Sequence, residues 1–373
     1  MIIKPQKDSS ISKEISIELG KYTILAGEND SGKTKLIRAI KDHEDVKTFK
    51  KIFIPAEHIQ PQNEEAKCSA GTTDFFKFLR TVLEPIFSKN ILKGLVNNFN
   101  DSEDKKNFVS SVNKILKDFG VEKKKFDLKI AEDEFKENII IKITKAFVKD
   151  LYKTDVDEVD FENIGMGTQR LIVAALIRYY EEEKIGKDEE VLIIFEEPEV
   201  YLHPRWKEGL YKSLFKLSKR EKTKVLITTH DPYFIELGKN QKIYRVYRNP
   251  DKKDATEIKE MESSELLPFK SDSEINYLIF NIPSTAYFLE IYEQAKRKAG
   301  YETPSYADFD KYMFDTYFKA KGEKQNYADD NGKPVTYVTI LRHDIAHGKY
   351  TNSDPDNLKK AIKDMISFLN KLK

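Results

Sequence analysis

Residues 22–34 read Tyr-Thr-Ile-Leu-Ala-Gly-Glu-Asn-Asp-Ser-Gly-Lys-Thr, and their types and spacing suit the holding of a phosphate. Gly27 and Gly32 allow a tight polar loop through Asn29, Asp30 and Ser31, with backbone N–H groups turned inward around an anion. Lys33 is placed to reach the β- and γ-phosphates of a nucleotide, and the Thr34 hydroxyl to bind Mg²⁺. A helix opening at Lys33 adds the partial positive charge of its N-terminus. The pattern G-x-x-x-x-G-K-T is that of a P-loop, and it requires a buried strand before it and a helix after it.

Three more clusters carry chemistry of the same kind. Val191–Phe195 is an apolar run that ends in Glu196 and Glu197. Such a strand delivers one carboxylate, Glu196, to Mg²⁺ through water, and the next, Glu197, to an attacking water. Leu226-Ile-Thr-Thr leads into His230, which a strand end beside the nucleotide would bring within reach of the γ-phosphate and the ordered water. Asn163, Gly165 and Gly167 stand directly before a helix and offer backbone donors to an anion. A second cradle of this kind cannot easily serve the same nucleotide from the same side, but it suits a nucleotide held by another copy of the chain. A fifth cluster, Ile340-Leu-Arg342-His343-Asp344-Ile-Ala-His347-Gly348, puts an arginine and a histidine five residues apart on a helix. Five residues is about 140° around the axis, so one straight helix does not focus both on one phosphate. Two such helices across a symmetric interface could.

The elements that must position these residues are legible in the apolar spacing. Ile15, Ile17 and Leu19 recur at period two, and Tyr22–Ala26, Lys51–Pro55, Val191–Phe195 and Lys224–Thr229 read as strands. Leu36, Ile37 and Ile40 mark the helix after the P-loop; Thr168–Lys184 and Pro204–Leu217 are further helices, and 242–261 a hairpin turning at Asn249-Pro250-Asp251. The segment from about 66 to 125 reads as a helical insertion, with Phe75, Leu79, Val82, Leu83 and Ile86 on one face and Phe108, Val112, Ile115, Leu116 and Phe119 on another. The lysines on its polar side make a solvated face or a contact to a phosphate backbone. Strand-like segments follow at 126–130 and 138–143. From about residue 270 the pattern is wholly helical, ending in a helix with Asp354 as N-cap, and Gly348 is placed to stop the helix that carries Arg342. The expected architecture is an α/β P-loop domain over 1–262 and an all-α domain over 263–373.

Composition narrows the class. The chain has 373 residues, 64 Lys and Arg against 63 Asp and Glu, and 39% hydrophobic content. That near-balance announces no global field for nucleic acid or membrane. Cys68 is the single cysteine, so no internal disulfide can form. With no apolar signal core and no run of membrane-spanning length, a cytoplasmic protein without a membrane partner is expected.

Taken in order, these motifs resemble the ABC-type ATPases, in particular the branch with SMC and overcoming-lysogenization-defect (OLD) proteins. The resemblance runs from about residue 1 to 260. It implies that Gly27–Thr34 is Walker A, Glu196-Glu197 Walker B with the catalytic glutamate, Pro198–His203 the D-loop, His230 the switch histidine and the Gly165/Gly167 stretch the signature. It further implies ATP and Mg²⁺ as cofactors, Gln60 or Gln62 as the Q-loop glutamine at the metal, and a head-to-tail homodimer sandwiching two ATPs. Two positions depart from the pattern: Glu196 replaces the usual aspartate, and Asn163 or Ile164 stands where the signature has serine.

Arg342-x-x-x-x-His347 in a small C-terminal helical region resembles HEPN domains, metal-independent ribonucleases that dimerise. That resemblance implies Arg342 at the scissile phosphate and His347 as general acid/base, with RNA, tRNA among the candidates, as substrate. Tyr337 and Tyr350 either stack bases or serve the core. The whole layout resembles bacterial antiphage toxins. The alternative is an ATP-gated module that binds DNA or a partner, or a sensor that restrains a separate effector and answers a phage-encoded trigger, its C-terminal domain being structural.

Overall fold

Strands built almost entirely from apolar residues lie at the centre of the first of two compact units, Met1–Ile235 with Asn240–Glu260; the second is Glu236–Lys239 with Met261–Lys373. The computed structural model describes residues 1–5, 11–56, 102–130, 144–150, 159–160, 164–179, 182, 190–236, 241–252, 254–261, 266–268, 271–301, 306–323, 325, 327–328, 332–351 and 355–372. Gln60, Gln62, Asn163, Cys68 and Asp354 lie outside these residues, as do the helix expected over 75–86 and the strand expected over 138–143.

The first unit runs β1 (Ile2–Ile3), β2 (Ile15–Ser16), β3 (Tyr22–Ala26), α1 (Lys33–Lys41) and β4 (Lys50–Ile54). It continues with α2 (Glu103–Asp118), β5 (Lys124–Ile130), β6 (Thr144–Asp150), β7 (Val159–Asp160) and α3 (Met166–Tyr179). It closes with β8 (Val191–Glu196), α4 (Pro204–Ser218), β9 (Thr223–Thr229), β10 (Lys242–Asn249) and β11 (Ala255–Glu260). The main sheet has the order β11-β10-β3-β9-β8-β4, parallel throughout except for the antiparallel edge pair β10–β11. Every residue of β3 and of β8 is buried, as expected of parallel strands covered on both faces. Leu36, Ile37 and Ile40 of α1 pack on one side, in a core with Leu192, Ile194 and Leu226.

Ala26 pairs with Thr229, and Thr228 with Glu196, so β3, β9 and β8 end side by side. The loops that leave them therefore share one sheet edge, the edge at which open parallel sheets bind ligands.

The described part of the insertion is α2 followed by a small antiparallel sheet, β5-β6-β7. Asn113 of α2 covers the free edge of β5. Its Nδ2 donates to the Phe126 carbonyl at 2.8 Å, and its Oδ1 accepts from the Phe126 N–H at 2.7 Å. A side-chain amide thus takes the place of a neighbouring strand at that one position. Phe108 meets Tyr179 of α3 edge-on at 4.7 Å, and Gly209 of α4 lets that helix approach so closely that a Cβ would stand 2.6 Å from the Phe119 Cα.

The second unit holds α5 (Asp272–Phe280), α6 (Thr285–Lys298), α7 (Tyr306–Met313), β12 (Tyr327–Ala328), β13 (Pro334–Val335), α8 (Tyr337–Ala346) and α9 (Pro355–Lys371). Its core gathers Phe288, Ile291, Phe309, Met313, Val338, Ile362 and Met365. This unit is not wholly helical, because β12 pairs with β13 antiparallel. Gly332 takes φ 74° and Pro334 has no N–H to give a helix, so local turn chemistry overrides the helical pattern there. Asp310, buried, stands where the α8 N-terminus needs an acceptor: it takes bonds from the Thr336 N–H at 3.1 Å, from the Thr336 hydroxyl at 2.5 Å and from the Thr339 hydroxyl at 2.6 Å.

Candidate functional site

Gly32, at φ 100°, forms the turn between the loop and α1, and no side chain caps that helix. By contrast α2, α4, α5 and α6 are capped by Ser102, His203, Ser271 and Ser284. The first N–H groups of α1 are therefore left for an anion, and the first turn carries no acid that would repel one. A Cβ on Gly27 would strike the Val246 carbonyl, and one on Gly32 the Thr256 hydroxyl. The loop is braced from β10 and β11. Arg248 Nε donates to the Asp30 carbonyl at 2.7 Å, and the Thr256 hydroxyl donates to the Ser31 carbonyl at 3.2 Å.

Lys33 is buried, and its ammonium donates to the carbonyls of Gly27 at 2.9 Å and Glu28 at 2.8 Å. It also lies 3.8 Å from Glu197 Oε1. Burial lowers its pKa, against the opposing pull of Glu197, Glu199 and Glu28. Thr34, in the first turn, is exposed.

The end of β8 carries two carboxylates in different settings. Glu196 is buried; one oxygen accepts the Ala56 N–H at 3.2 Å, while Oε1 has no hydrogen-bond partner. Burial raises its pKa. A buried carboxylate with an orphan oxygen, at the last residue of β8, fits a group that completes itself on a cation. Glu197 sits at φ 43°, a left-handed conformation that costs a non-glycine residue roughly 1–3 kcal/mol. Its N–H is held by the Thr228 carbonyl at 3.0 Å and hydroxyl at 3.1 Å. His230 Nδ1 lies 3.6 Å from Glu197 Oε1 and 3.5 Å from Glu199 Oε1, ion-pair distances longer than a hydrogen bond. His230 is the chief cause that lowers the Glu197 pKa, and Glu197 the chief cause that raises that of His230. An ionised carboxylate beside a protonatable imidazole and a lysine can take a proton from water and hold position against phosphate oxygens.

Three contributors were not singled out from the sequence. Arg170, fully buried in the first half of α3, donates to the Glu197 carbonyl at 2.6 Å, the Glu196 carbonyl at 3.3 Å, the Pro55 carbonyl at 3.4 Å and the Ala56 carbonyl. Burial brings its pKa down to about 10. Glu199, also buried, accepts from the Thr229 hydroxyl at 2.6 Å and the His230 N–H at 2.9 Å, which fixes the histidine's backbone. Thr228 supplies the two acceptors under Glu197. The Glu199-Thr229 pairing spans 30 residues, so only sheet order reveals it.

Gly167 packs against the backbone of Tyr201 in the 198–203 loop, where a Cβ would strike the Tyr201 carbonyl; a Cβ on Gly165 would meet nothing within 4 Å. Tyr201 has φ 65° and is 59% exposed. The structure thus joins Lys33, Glu196, Glu197 and His230 at one sheet edge, and presents Gly165 as an open helix start.

In the second unit the two candidate residues are not brought together. Arg342 Nη2 donates to the Tyr306 hydroxyl and lies 3.5 Å from Glu293, and the guanidinium stacks over the Tyr306 ring at 3.9 Å. His347 is exposed at the end of α8, its ring 4.3 Å from that of His343. Gly348, at φ 68°, ends the helix. Tyr337 belongs to the core and donates to Asp364, and Tyr350 packs against the same core.

Residues 50–235 match the AAA ATPase domain family. The P-loop lies just before the matched span. Among curated relatives, an OLD nuclease of Thermus scotoductus is 28% identical over 92 residues, 24% of this chain and 16% of that protein. The Old nuclease of Escherichia phage P2 is 29% identical over 243 residues, 61% of this chain and 40% of that protein. The chain therefore spans well under half the length of either relative. Among solved structures, an SMC head bound to the C-winged helix domain of ScpA is 14% identical, over 67% of this chain and 93% of that one, with a TM-score of 0.43. The SMC head domain from Thermotoga maritima is 15% identical, over 68% and 95%, at 0.34. The chain is therefore similar to AAA ATPase domains over 50–235 and to OLD nucleases over the spans given. No helix among the described residues is long and apolar enough to cross a membrane.

Proposed function

We propose that the chain is an ATP-binding and -hydrolysing ATPase that closes head to tail on a second copy and so governs its C-terminal unit. The observation that carries this is the run Lys33–Glu197–His230, with 3.8 Å and 3.6 Å between successive charged groups. In this reading Gly27 to Thr34 hold the phosphates, Glu197 accepts a proton from the attacking water, and His230 orients both. Thr34 and Glu196 hold Mg²⁺, whose charge, when bound, offsets that of the phosphate oxygens. Gly165 and Gly167 face the nucleotide of the partner copy. The experiment is ATP turnover and nucleotide-dependent dimerisation, measured on wild type, Lys33→Ala and Glu197→Gln. Lys33→Ala should lose binding, and Glu197→Gln should bind ATP without turnover and accumulate as a dimer. A wild type that neither binds nor turns over ATP overturns the reading.

In the same proposal the C-terminal unit cleaves RNA without a metal. Arg342 steadies the scissile phosphate and His347 exchanges the proton, each site drawing on two copies because the two residues lie far around one helix. Relatives named as nucleases support a nuclease-linked ATPase, and defence against phage is the proposed setting. The pairing of Arg342 with Glu293 and Tyr306 favours a second reading, an ATP-gated sensor whose C-terminal unit is structural and which restrains a separate effector. RNA cleavage lost in Arg342→Ala and in His347→Ala decides for the nuclease; cleavage absent in wild type, or equal in all three proteins, decides for the sensor.

A further inference from the structure

His230 Nδ1 stands between two carboxylates at nearly equal range, 3.6 Å from Glu197 Oε1 and 3.5 Å from Glu199 Oε1. Both distances exceed a hydrogen bond, and one ring N–H can be given in full to only one acceptor. The imidazole is therefore poised between two seats. Glu199 is the fixed one. It is buried, and its Oε1 accepts the Thr229 hydroxyl at 2.6 Å and the N–H of His230 itself at 2.9 Å. Thr229 Oγ1 in turn accepts the Asp231 N–H at 2.9 Å. The carboxylate is thus tied to the histidine's own turn, and a rotation of the ring about its side-chain bonds is what brings Nδ1 onto it or takes it away.

The other oxygen of Glu199, Oε2, is buried with no hydrogen-bond partner. Capping the turn needs one acceptor oxygen, which an uncharged amide would supply; a carboxylate with a second, orphan oxygen brings charge as well, at a cost in burial. Burial raises the Glu199 pKa, against the pull of its Thr229 and His230 bonds and of the imidazole's charge. Glu197 is the opposite case. Its side chain is 23% exposed, sits on a left-handed turn and lies 3.8 Å from Lys33. Lys33, Glu197 and Glu199 are the charged groups that act on the ring. To take a proton from water, Glu197 must offer a lone pair, and an imidazole N–H resting on Oε1 occupies one and weakens the base.

We infer that Glu199 is a positioning residue of this site: it takes the Nδ1–H of His230, and the imidazole, turned onto it, leaves Glu197 free to act as the base. This assignment rests on the nucleotide reading of the site. A carboxylate at Nδ1 also favours the imidazolium, whose Nε2–H is then a donor for a phosphate oxygen.

The decisive variant is Glu199→Gln, which keeps an acceptor for the Thr229 hydroxyl and the His230 N–H and removes the charge. The full chain is followed by steady-state ATP turnover and, without nucleotide, by NMR titration of labelled His230. Wild type, Glu199→Gln, Glu197→Gln and the double variant are compared, with thermal melting in parallel. In Glu199→Gln the KM for ATP should stay within about twofold while kcat falls by about tenfold or more. The His230 midpoint should fall in Glu199→Gln, and should be lower in the double variant than in Glu197→Gln. A role confined to the backbone of the turn predicts wild-type kcat and an unmoved midpoint in Glu199→Gln, and either result overturns the inference. Should Glu199→Gln fail to fold, Glu197→Gln alone decides: its His230 midpoint stays above 6.5 if Glu199 holds the ring, and at or below 6.5 the inference falls. A wild type without turnover overturns the nucleotide reading instead, and the midpoints still decide where the ring is held.

Discussion

Arg170 Nη1 donates to the carbonyl of Glu197 at 2.6 Å, from a side chain with no solvent exposure. That bond holds Glu197, whose φ of 43° is left-handed, at the turn after β8. The same guanidinium reaches Pro55 and Ala56 just past β4, so a single group ties the turn after β8 to the end of β4. Replacing Arg170 by Ala leaves several buried carbonyls unpaired, at about 1–3 kcal/mol each for those that water cannot reach. A loss of roughly 3–5 kcal/mol in unfolding free energy is expected, read by denaturant titration. Lys at this position should recover little, since a point charge cannot span both segments as the planar fork does. Wild-type stability in Arg170→Lys would contradict this account.

Glu197 and His230 shift each other's protonation in opposite senses, which sets a pH window. The Glu197 pKa is lowered from 4.5, so its contribution to stability is present above that value and lost as pH falls through the lowered one. The His230 pKa is raised from 6.5, so its contribution is fully present below 6.5 and lost as pH rises through the raised value. Wild type should therefore exceed His230→Gln in melting temperature most clearly near pH 5.5–6.5, with the gap closing on the alkaline side. Because the imidazole is 40% exposed, 1 M salt should narrow the gap as well. Titration of His230 by NMR should give a midpoint above 6.5 that drops in Glu197→Gln, and an unmoved midpoint would remove Glu197 as the cause.

Much of this site could be read without coordinates, and the division has a physical basis. Gly27–Thr34, Glu196-Glu197 and His230 follow local rules: a buried parallel strand is a continuous apolar run, and its end states where the chemistry begins. Arg170 is different. It stands inside a helix whose residues are nearly all buried, and nothing in the spacing marks one position as the tie to a turn 27 residues onward. Arg248 and Thr256 brace a loop more than 200 residues earlier, a pairing that exists only because β10 lies beside β3. In the second unit, Asp310 at the α8 N-terminus and the β12–β13 pair also depend on tertiary partners or on turn chemistry, which helical periodicity does not encode.

Arg342 is tied to Glu293 and Tyr306 on the flank of α8, and the two proposals for the second unit part there. If the tie is structural, Arg342→Ala and Glu293→Ala should each cost about 1 kcal/mol or less, the range of partly exposed pairs, and a double-mutant cycle should show coupling between them. If Arg342 serves a scissile phosphate, Arg342→Ala abolishes RNA cleavage while Glu293→Ala raises it, because the guanidinium is released. Chemical denaturation with an RNA cleavage assay on the same preparations separates the two outcomes.

Gly165 allows the dimer itself to be tested without disturbing the monomer, and Gly167 supplies the contrast. A Cβ on Gly167 would strike the Tyr201 carbonyl, so Gly167→Ala must push α3 away from the 198–203 loop. That substitution should lower the melting temperature and impair turnover together, at about 1–3 kcal/mol for a clash with backbone. A Cβ on Gly165 meets open space, and its backbone is not in the left-handed region. Gly165→Ala should therefore melt with wild type and bind ATP normally as a monomer. If Gly165 faces the nucleotide of a second copy, the added methyl group sits at the joint between copies, and both ATP-dependent dimerisation and turnover fall. Light scattering with ATP in Glu197→Gln and in Gly165→Ala/Glu197→Gln gives the answer directly. Equal dimer in both would move the second phosphate cradle elsewhere, while a monomer only in the double variant places Gly165 against the partner's nucleotide.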